Sequence, residues 1–248
     1  MNLVLVRDDE LLAPDQARLR GDRARHLLDT LGVEVGQCLK AGRPDGPRGV
    51  ARVLRISEDA VDLALQLDRD PEPAPDVDLL LALPRPKVLG RIIEHAVALG
   101  VGRMVLIRSW RVEKSYFQTD LLRPDRLRAL IHAGLEMAGC TRVPEVIVAP
   151  RFRPFVEDRL DEAFGRGNPR WLLDAQATET LLQCARQPAD RSCLAIGPEG
   201  GFIEFERNLL LEHGFELASL GERVLRVETA ATLGLGVIHL AKKSGAAL

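Results

Sequence analysis

The stretch Leu194-Ala-Ile-Gly-Pro-Glu-Gly-Gly-Phe202, followed by Ile203-Glu-Phe-Glu206, decides how this chain is read. An apolar run ends at Ile196, a loop with three glycines follows, and Glu204 and Glu206 open a helical pattern. Gly197, Gly200 and Gly201 permit positive φ and close backbone approach, while Pro198 fixes a turn. Strand, tight glycine loop and helix form the arrangement by which open α/β sheets bind ligands, outside the carboxyl ends of their strands. The loop carries Glu199 and no lysine, so it suits a cationic or neutral ligand better than a polyphosphate. About 25 residues on, Leu220-Gly-Glu-Arg-Val-Leu-Arg-Val-Glu-Thr-Ala-Ala231 forms a second such loop. There Gly221 ends a strand, Arg226 and Glu228 flank a turn, and Thr229 is placed to cap the last helix. Taken singly, each loop also reads as an ordinary helix cap.

Working outward, the clearest boundary is Asp68-Arg-Asp-Pro-Glu-Pro-Ala-Pro-Asp76, whose alternating prolines favour an extended, semi-rigid linker. Before it, short β-branched runs at 3–6, 37–41, 50–56 and 61–67 predict a small β-rich domain over 1–72, with one helix near 23–31. After it, strands at 78–83, 104–107, 145–148, 171–174 and 193–196 alternate with helices at 89–99, 126–138, 178–185, 204–213 and 229–242. That rhythm predicts an α/β domain over 77–248, a mostly parallel sheet with helices on both faces.

The chain has 248 residues, 34 basic and 36 acidic, a formal net charge of −2, and 46% hydrophobic residues. This is the composition of a globule able to bury a sizeable core, not of a disordered or fibrous chain. The uncharged stretch 229–241 is well short of the roughly 20 residues a membrane helix needs, and no signal peptide is visible at 1–7. Cys38, Cys140, Cys184 and Cys193 lie far apart with no C-x-x-C, so they are expected as thiols in a reducing, cytoplasmic setting, and no metal site is expected. Gly100-Val-Gly102 precedes a strand and so is not a dinucleotide fingerprint; no phosphate-binding G-x-x-x-x-G-K-[ST] loop, G-x-S-x-G elbow or H-E-x-x-H helix occurs.

Overall charge argues against a nucleic-acid partner until it is divided by segment. Residues 1–72 carry a net −3 and 154–248 a net −4, but 83–153 hold 13 basic and 6 acidic side chains, net +7. In that stretch Arg103, Arg108, Arg111, Lys114, Arg123, Arg126 and Arg128 are interleaved with Trp110, Tyr116 and Phe117. Cations for phosphates beside aromatic faces for unstacked bases are the equipment for single-stranded or looped RNA. A solvated helix face with core aromatics would give the same string.

Together, and in this order, I-G-P-E-G-G at 196–201 and L-G-E-R-V-L-R-V-E-T-A at 220–230 resemble the signatures of the RsmE family of SPOUT-class methyltransferases. The resemblance extends to Leu99-Gly100-Val101, Ser109-x-Arg111 and Arg142-Val-Pro-Glu145. It implies a PUA-like β-barrel domain followed by an α/β domain closed by a trefoil knot, and a homodimer paired across the knot. It implies transfer of a methyl group from S-adenosyl-L-methionine to N3 of a uridine in 16S ribosomal RNA, free or in an assembling subunit. A ribose 2′-O methyltransferase of the same class and a non-catalytic RNA-binding or assembly factor are the alternatives. By the same resemblance Gly197, Gly200, Gly201, Leu220, Gly221, Leu225 and Arg226 line the cofactor pocket, with a strand-end residue, Leu172 or Leu173, and Thr229 beside them.

Uridine N3–H is a weakly acidic imide, so its methylation needs the proton removed or the imidate stabilised. Arg226 is the candidate for charge developing on the uracil oxygens, and Glu228 or Glu199 for the base; either carboxylate would serve equally to fix backbone amides. Departures from the family lie away from the cofactor loops. His95 and Ala98 replace Lys and Glu, Glu136-Met-Ala-Gly-Cys140 lacks a Gln and an Arg, and Gly32 follows His26 where an Arg is usual. Such losses remove phosphate or base contacts, for which Lys87, Arg91 and Arg103 are the candidate replacements.

Overall fold

The strands of this chain form two six-stranded sheets of opposite character, seen in a computed structural model that describes residues 2–187 and 189–245. The first sheet belongs to a unit made of residues 1–74 together with 132–143. Its strands are β1 (Val4–Leu5), β2 (Leu11–Ala13), β3 (Gln16–Arg20), β4 (Cys38–Gly42), β5 (Arg48–Ile56) and β6 (Ala60–Arg69). They lie in the order β1-β4-β5-β6-β3-β2, antiparallel except for the β1–β4 pair. Where a barrel is expected the sheet is open, ending on edge strands of only two and three residues. The helix expected near 23–31 is split into α1 (Gly21–Arg25) and one π turn, His26–Thr30, which bury Ala24 and Leu27.

Strand alternation explains how a segment of net −3 still offers cations. In β6, Val61, Leu63 and Leu65 point into the core, so Ala60, Asp62 and Ala64 share the opposite face. The register sets Arg20 opposite Ala60, Arg18 and Arg55 opposite Asp62, and Arg52 opposite Ala64. Four arginines therefore share one sheet face. Arg18 donates to both Asp62 oxygens at 2.6 and 2.9 Å, and this hydrogen bonding, with Arg55 and Arg20 nearby, holds the carboxyl below its usual range. In 132–143, Glu136 accepts the Leu5 N–H at 3.1 Å and Arg23 Nη2 at 2.8 Å, fastening that segment to the unit's own first strand.

The second unit, residues 75–131 and 144 onward, holds a parallel sheet. Its strands are β7 (Val77–Ala82), β8 (Val101–Ile107), β9 (Glu145–Ala149), β10 (Arg170–Leu173), β11 (Ser192–Ile196) and β12 (Phe215–Ala218), in the order β12-β10-β11-β7-β8-β9. Every neighbouring pair is parallel. The helices are α2 (Pro86–Ala98), α3 (Pro124–Ala138), which from residue 132 on belongs to the first unit, α4 (Phe152–Asp158), α5 (Leu160–Phe164), α6 (Leu181–Cys184), α7 (Glu204–Glu212) and α8 (Val227–Gly245). Central strands β7 and β11 are buried along their whole length, as a sheet covered on both faces requires. One face packs against α4, α5 and α7 through Leu80, Val105, Phe155, Phe164, Cys193 and Leu210. Over the other, α8 runs against α2, α6, β7 and β11. Gly234 permits that approach: a Cβ there would stand 2.7 Å from Leu194 Cδ2. The strands and helices expected after the linker are all present, with shifted ends; the strand expected to end at Gly221 is β12, which stops at Ala218, and α4 and α5 are additions, too short at seven and five residues for a helical period to declare itself.

Candidate active site

Strand β11 delivers the glycine loop at its carboxyl end. The Gly201 N–H donates to the Pro198 carbonyl at 2.7 Å, closing a tight turn, and Gly201 sits at φ 72°. The other two glycines of the loop are tightly seated as well. A Cβ on Gly197 would meet the Phe202 amide nitrogen at 3.2 Å, and one on Gly200 would meet Arg111 Cδ at 3.0 Å.

Three side chains hold this loop from below. Arg111 donates to the Gly200 carbonyl, so its guanidinium is a clamp on the loop backbone. Glu206, third residue of α7 and 3% exposed, accepts the Ile203 N–H at 3.2 Å and the Trp110 N–H at 2.6 Å. Burial raises the Glu206 pKa, and the two backbone donors and Arg111 oppose that rise. Phe202 packs on Phe152 of α4, ring centroids 5.7 Å apart.

The loop walls a cavity of about 380 Å³ that the second loop closes from the other side. Leu173 at the end of β10 and Asp174 after it, Ile196 at the end of β11 and Gly197 after it, and Leu220, Gly221 and Arg223 to Val227 leading into α8 converge there. Most of the lining is apolar, with Leu173, Ile196, Phe202, Leu220, Leu225 and Val227, while Asp174, Glu199, Arg223 and Arg226 supply charge. Asp174 is oriented: its carboxylate accepts the Gln176 N–H at 2.9 Å and Arg207 Nε at 3.2 Å. Glu199 faces Arg85, the residue preceding α2, at 3.6 Å, and both are substantially exposed. Gly221 adopts φ 107°, which restricts the second loop's turn to glycine.

Gly197, Glu199, Gly201, Leu220, Gly221, Leu225 and Arg226 line the cavity. Leu172 is 2% exposed and belongs to the core, its neighbour Leu173 facing the cavity instead. Gly200 is turned toward Arg111, and Glu228 and Thr229 lie outside the lining. Thr229 does not cap the last helix, because α8 begins two residues earlier at Val227. Lys87 and Arg91 are exposed on α2. Arg103 lies toward the amino end of β8 in an ion pair with Glu145 at 2.7 Å, whereas Arg108, Arg111 and Lys114 follow its carboxyl end. At about 3.3 Å per residue, that puts Arg103 some 16 Å from Arg108. Asp174, Phe202 and Arg223 are lining residues that motif reading passed over, although an acidic residue at the end of a predicted strand was a usable signal for Asp174. Among the described residues no group of three or more His, Cys, Asp or Glu stands where it could hold a metal ion.

Comparison with known proteins bears on this geometry. The RNA methyltransferase domain family matches residues 70–239. The chain is 30% identical over 240 residues to the ribosomal RNA small subunit methyltransferase E of Treponema pallidum, covering 96% of this chain and 90% of that one. The enzyme of that name from Mycobacterium tuberculosis is 27% identical over 225 residues, 88% of this chain and 84% of the other. A crystal structure of ribosomal RNA small subunit methyltransferase E from Neisseria gonorrhoeae, bound to S-adenosyl methionine, superposes with a TM-score of 0.77 at 21% identity over 96% of this chain and 97% of that one.

Proposed function

The chain belongs to the RsmE family of RNA methyltransferases, and from that premise we propose how its site works. It is an S-adenosylmethionine-dependent methyltransferase of 16S ribosomal RNA, and by its family the target is uridine N3. The observation that carries the site assignment is the convergence of the two signature loops on one cavity at the carboxyl ends of β10 and β11. That cavity fits the cofactor in chemistry and size. Its apolar walls suit an adenine ring, Asp174 and Glu199 favour a sulfonium cation, and about 380 Å³ is within the usual range for small-molecule pockets. When bound, the cofactor supplies an electrophilic methyl carbon.

The protein's own side chains supply the rest. Arg226, exposed at the rim, neutralises charge developing on the uracil oxygens. Glu199, on the cavity wall 3.6 Å from Arg85, is read as the base that takes the N3 proton. Glu228, outside the lining, is left with a part in the α8 start. Lys87, Arg91, Arg108 and Lys114 are read as phosphate contacts of the small-subunit RNA or its assembly intermediate. The domain over 1–72 is read as PUA-like, its arginine-rich sheet face gripping RNA, and the domain over 77–248 as the knotted methyltransferase. A homodimer through the knot is supported by apolar side chains left on and before α8: Val224 at 88%, Leu240 at 67% and Leu233 at 43% exposure, the two leucines seven residues apart on one face. The free thiols of all four cysteines agree with a cytoplasmic setting.

Nucleoside mass spectrometry of 16S RNA from a deletion strain, complemented with wild type or Arg226→Ala, tests this reading. Loss of 3-methyluridine on deletion and its return with the wild-type chain alone are expected. A 2′-O-methylated product, or full activity of Arg226→Ala, overturns the target or the role of the arginine.

A further inference from the structure

Beside the cofactor cavity, a separate groove of about 580 Å³ opens where β8 and β9 end and α7 begins. Two large aromatic side chains on its wall are left in solvent, Trp110 at 80% and Phe205 at 53% exposure. Trp110 comes from the loop after β8 and Phe205 from the first turn of α7. Trp110 is not loosely held, since its N–H is fixed by the buried Glu206 carboxylate and its neighbour Arg111 is fixed to Gly200. An exposed indole on an anchored backbone forfeits the burial that a tryptophan normally gains. Around it Arg108, Lys114 and Arg151 line the same groove, and none has an ion-pair partner among the described residues. Ser109 also lines it, is 2% exposed, and its hydroxyl has no hydrogen-bond partner among the described residues. A buried hydroxyl left unpaired is costly unless a ligand satisfies it.

We propose that Trp110 and Phe205 form a stacking platform for an unpaired nucleotide neighbouring the target, with Arg108, Lys114 and Arg151 on its phosphates and the Ser109 hydroxyl on a base edge or phosphate oxygen. Single-stranded RNA is the occupant this chemistry selects, because aromatic faces beside free cations match bases and backbone together. The groove and the cofactor cavity adjoin along the chain, Phe202 lining the one and Ile203 the other, which suits a strand held on the platform close to its target nucleotide. The proposal rests on RNA being the substrate and adds which unpaired bases are held, and by what.

The chain's two tryptophans make the test direct, because Trp171 is 2% exposed and Trp110 is the exposed one. A short single-stranded RNA is titrated into the full chain while tryptophan emission and affinity are followed. A duplex of the same length serves as comparison, and calorimetry reports S-adenosylmethionine affinity. Wild type should show quenching on binding. Trp110→Phe should keep affinity but lose the quench. Trp110→Ala and Phe205→Ala should weaken single-strand binding roughly 5- to 100-fold, with duplex binding and cofactor affinity unchanged. Wild-type affinity of both alanine variants, or equal losses on duplex and single strand, overturns the platform. Wild type that stacks RNA on Trp110 yet forms no 3-methyluridine would sink the target assignment and leave the platform standing. A wild-type chain that binds no RNA would sink both.

Discussion

The Glu206 carboxylate accepts the Trp110 backbone N–H at 2.6 Å across 96 residues of sequence, tying the loop after β8 to the glycine loop after β11. One buried acid thereby ties the loop that walls the cavity to the loop that carries Trp110 into the neighbouring groove.

Glu206→Ala leaves two backbone donors, of Trp110 and Ile203, without their acceptor. Both bonds are only partly buried, so at about 0.5–1.5 kcal/mol for each lost hydrogen bond stability should fall by roughly 1–3 kcal/mol, with weaker cofactor binding. Glu206→Gln, which offers one acceptor oxygen, should fall between. Urea midpoints and calorimetry check both, and an alanine variant as stable as wild type would remove the tie from the account.

The two carboxylates proposed as base are separated by location. Glu199→Gln should lower the single-turnover rate by ~10²- to 10⁴-fold with S-adenosylmethionine affinity unchanged. Glu228→Gln, whose carboxylate lies outside the cavity lining, should stay within a few-fold of wild type. The reverse ranking would transfer the role to Glu228.

Two glycines of α8 should respond to alanine with opposite signs. At Gly234 a new Cβ lies 2.7 Å from Leu194 Cδ2, and Leu194 is fully buried, so overpacking of about 1–3 kcal/mol outweighs the gain of ~1 kcal/mol in helix propensity. Gly236 has nothing within 4 Å of that position, so Gly236→Ala should stabilise by up to ~1 kcal/mol. Chemical denaturation of the pair decides, and a stabilised Gly234→Ala would contradict the close packing of α8 on β11.

Burial holds the His239 imidazole below its ordinary value; nearby Asp76 opposes this, while Lys242 and Lys243 reinforce it. The folded chain thus binds this proton more weakly than the unfolded chain does. Its contribution to stability is present in full above about pH 6.5 and is lost as pH falls from there through the folded-state value. Unfolding free energy should therefore decline between about pH 7 and pH 5, by at most ~1.4 kcal/mol per pH unit from this group. His239→Gln should flatten that slope, and an unchanged slope would assign the acid sensitivity elsewhere.

Sequence alone carried the α/β class and the two glycine-bearing loops that wall the cavity, because each rests on local physics. Apolar runs separated by helical periods specify a parallel sheet, and the turn at Gly197 to Gly201 can be written only with residues that tolerate its backbone. It also showed that the net charge of −2 averages over a middle segment at +7. What local pattern does not contain is which distant residues meet. Arg111 read as an RNA contact, yet it clamps Gly200, 89 residues away. Arg103 read as its partner, yet it lies toward the opposite end of β8, bound to Glu145. Phe205 appeared as one more apolar residue of a helix start, and only the folded sheet brings it beside Trp110. Strand order, set by burial of two covered sheet faces and invisible to a period of two or 3.6, decided these neighbours and with them the shape of the site.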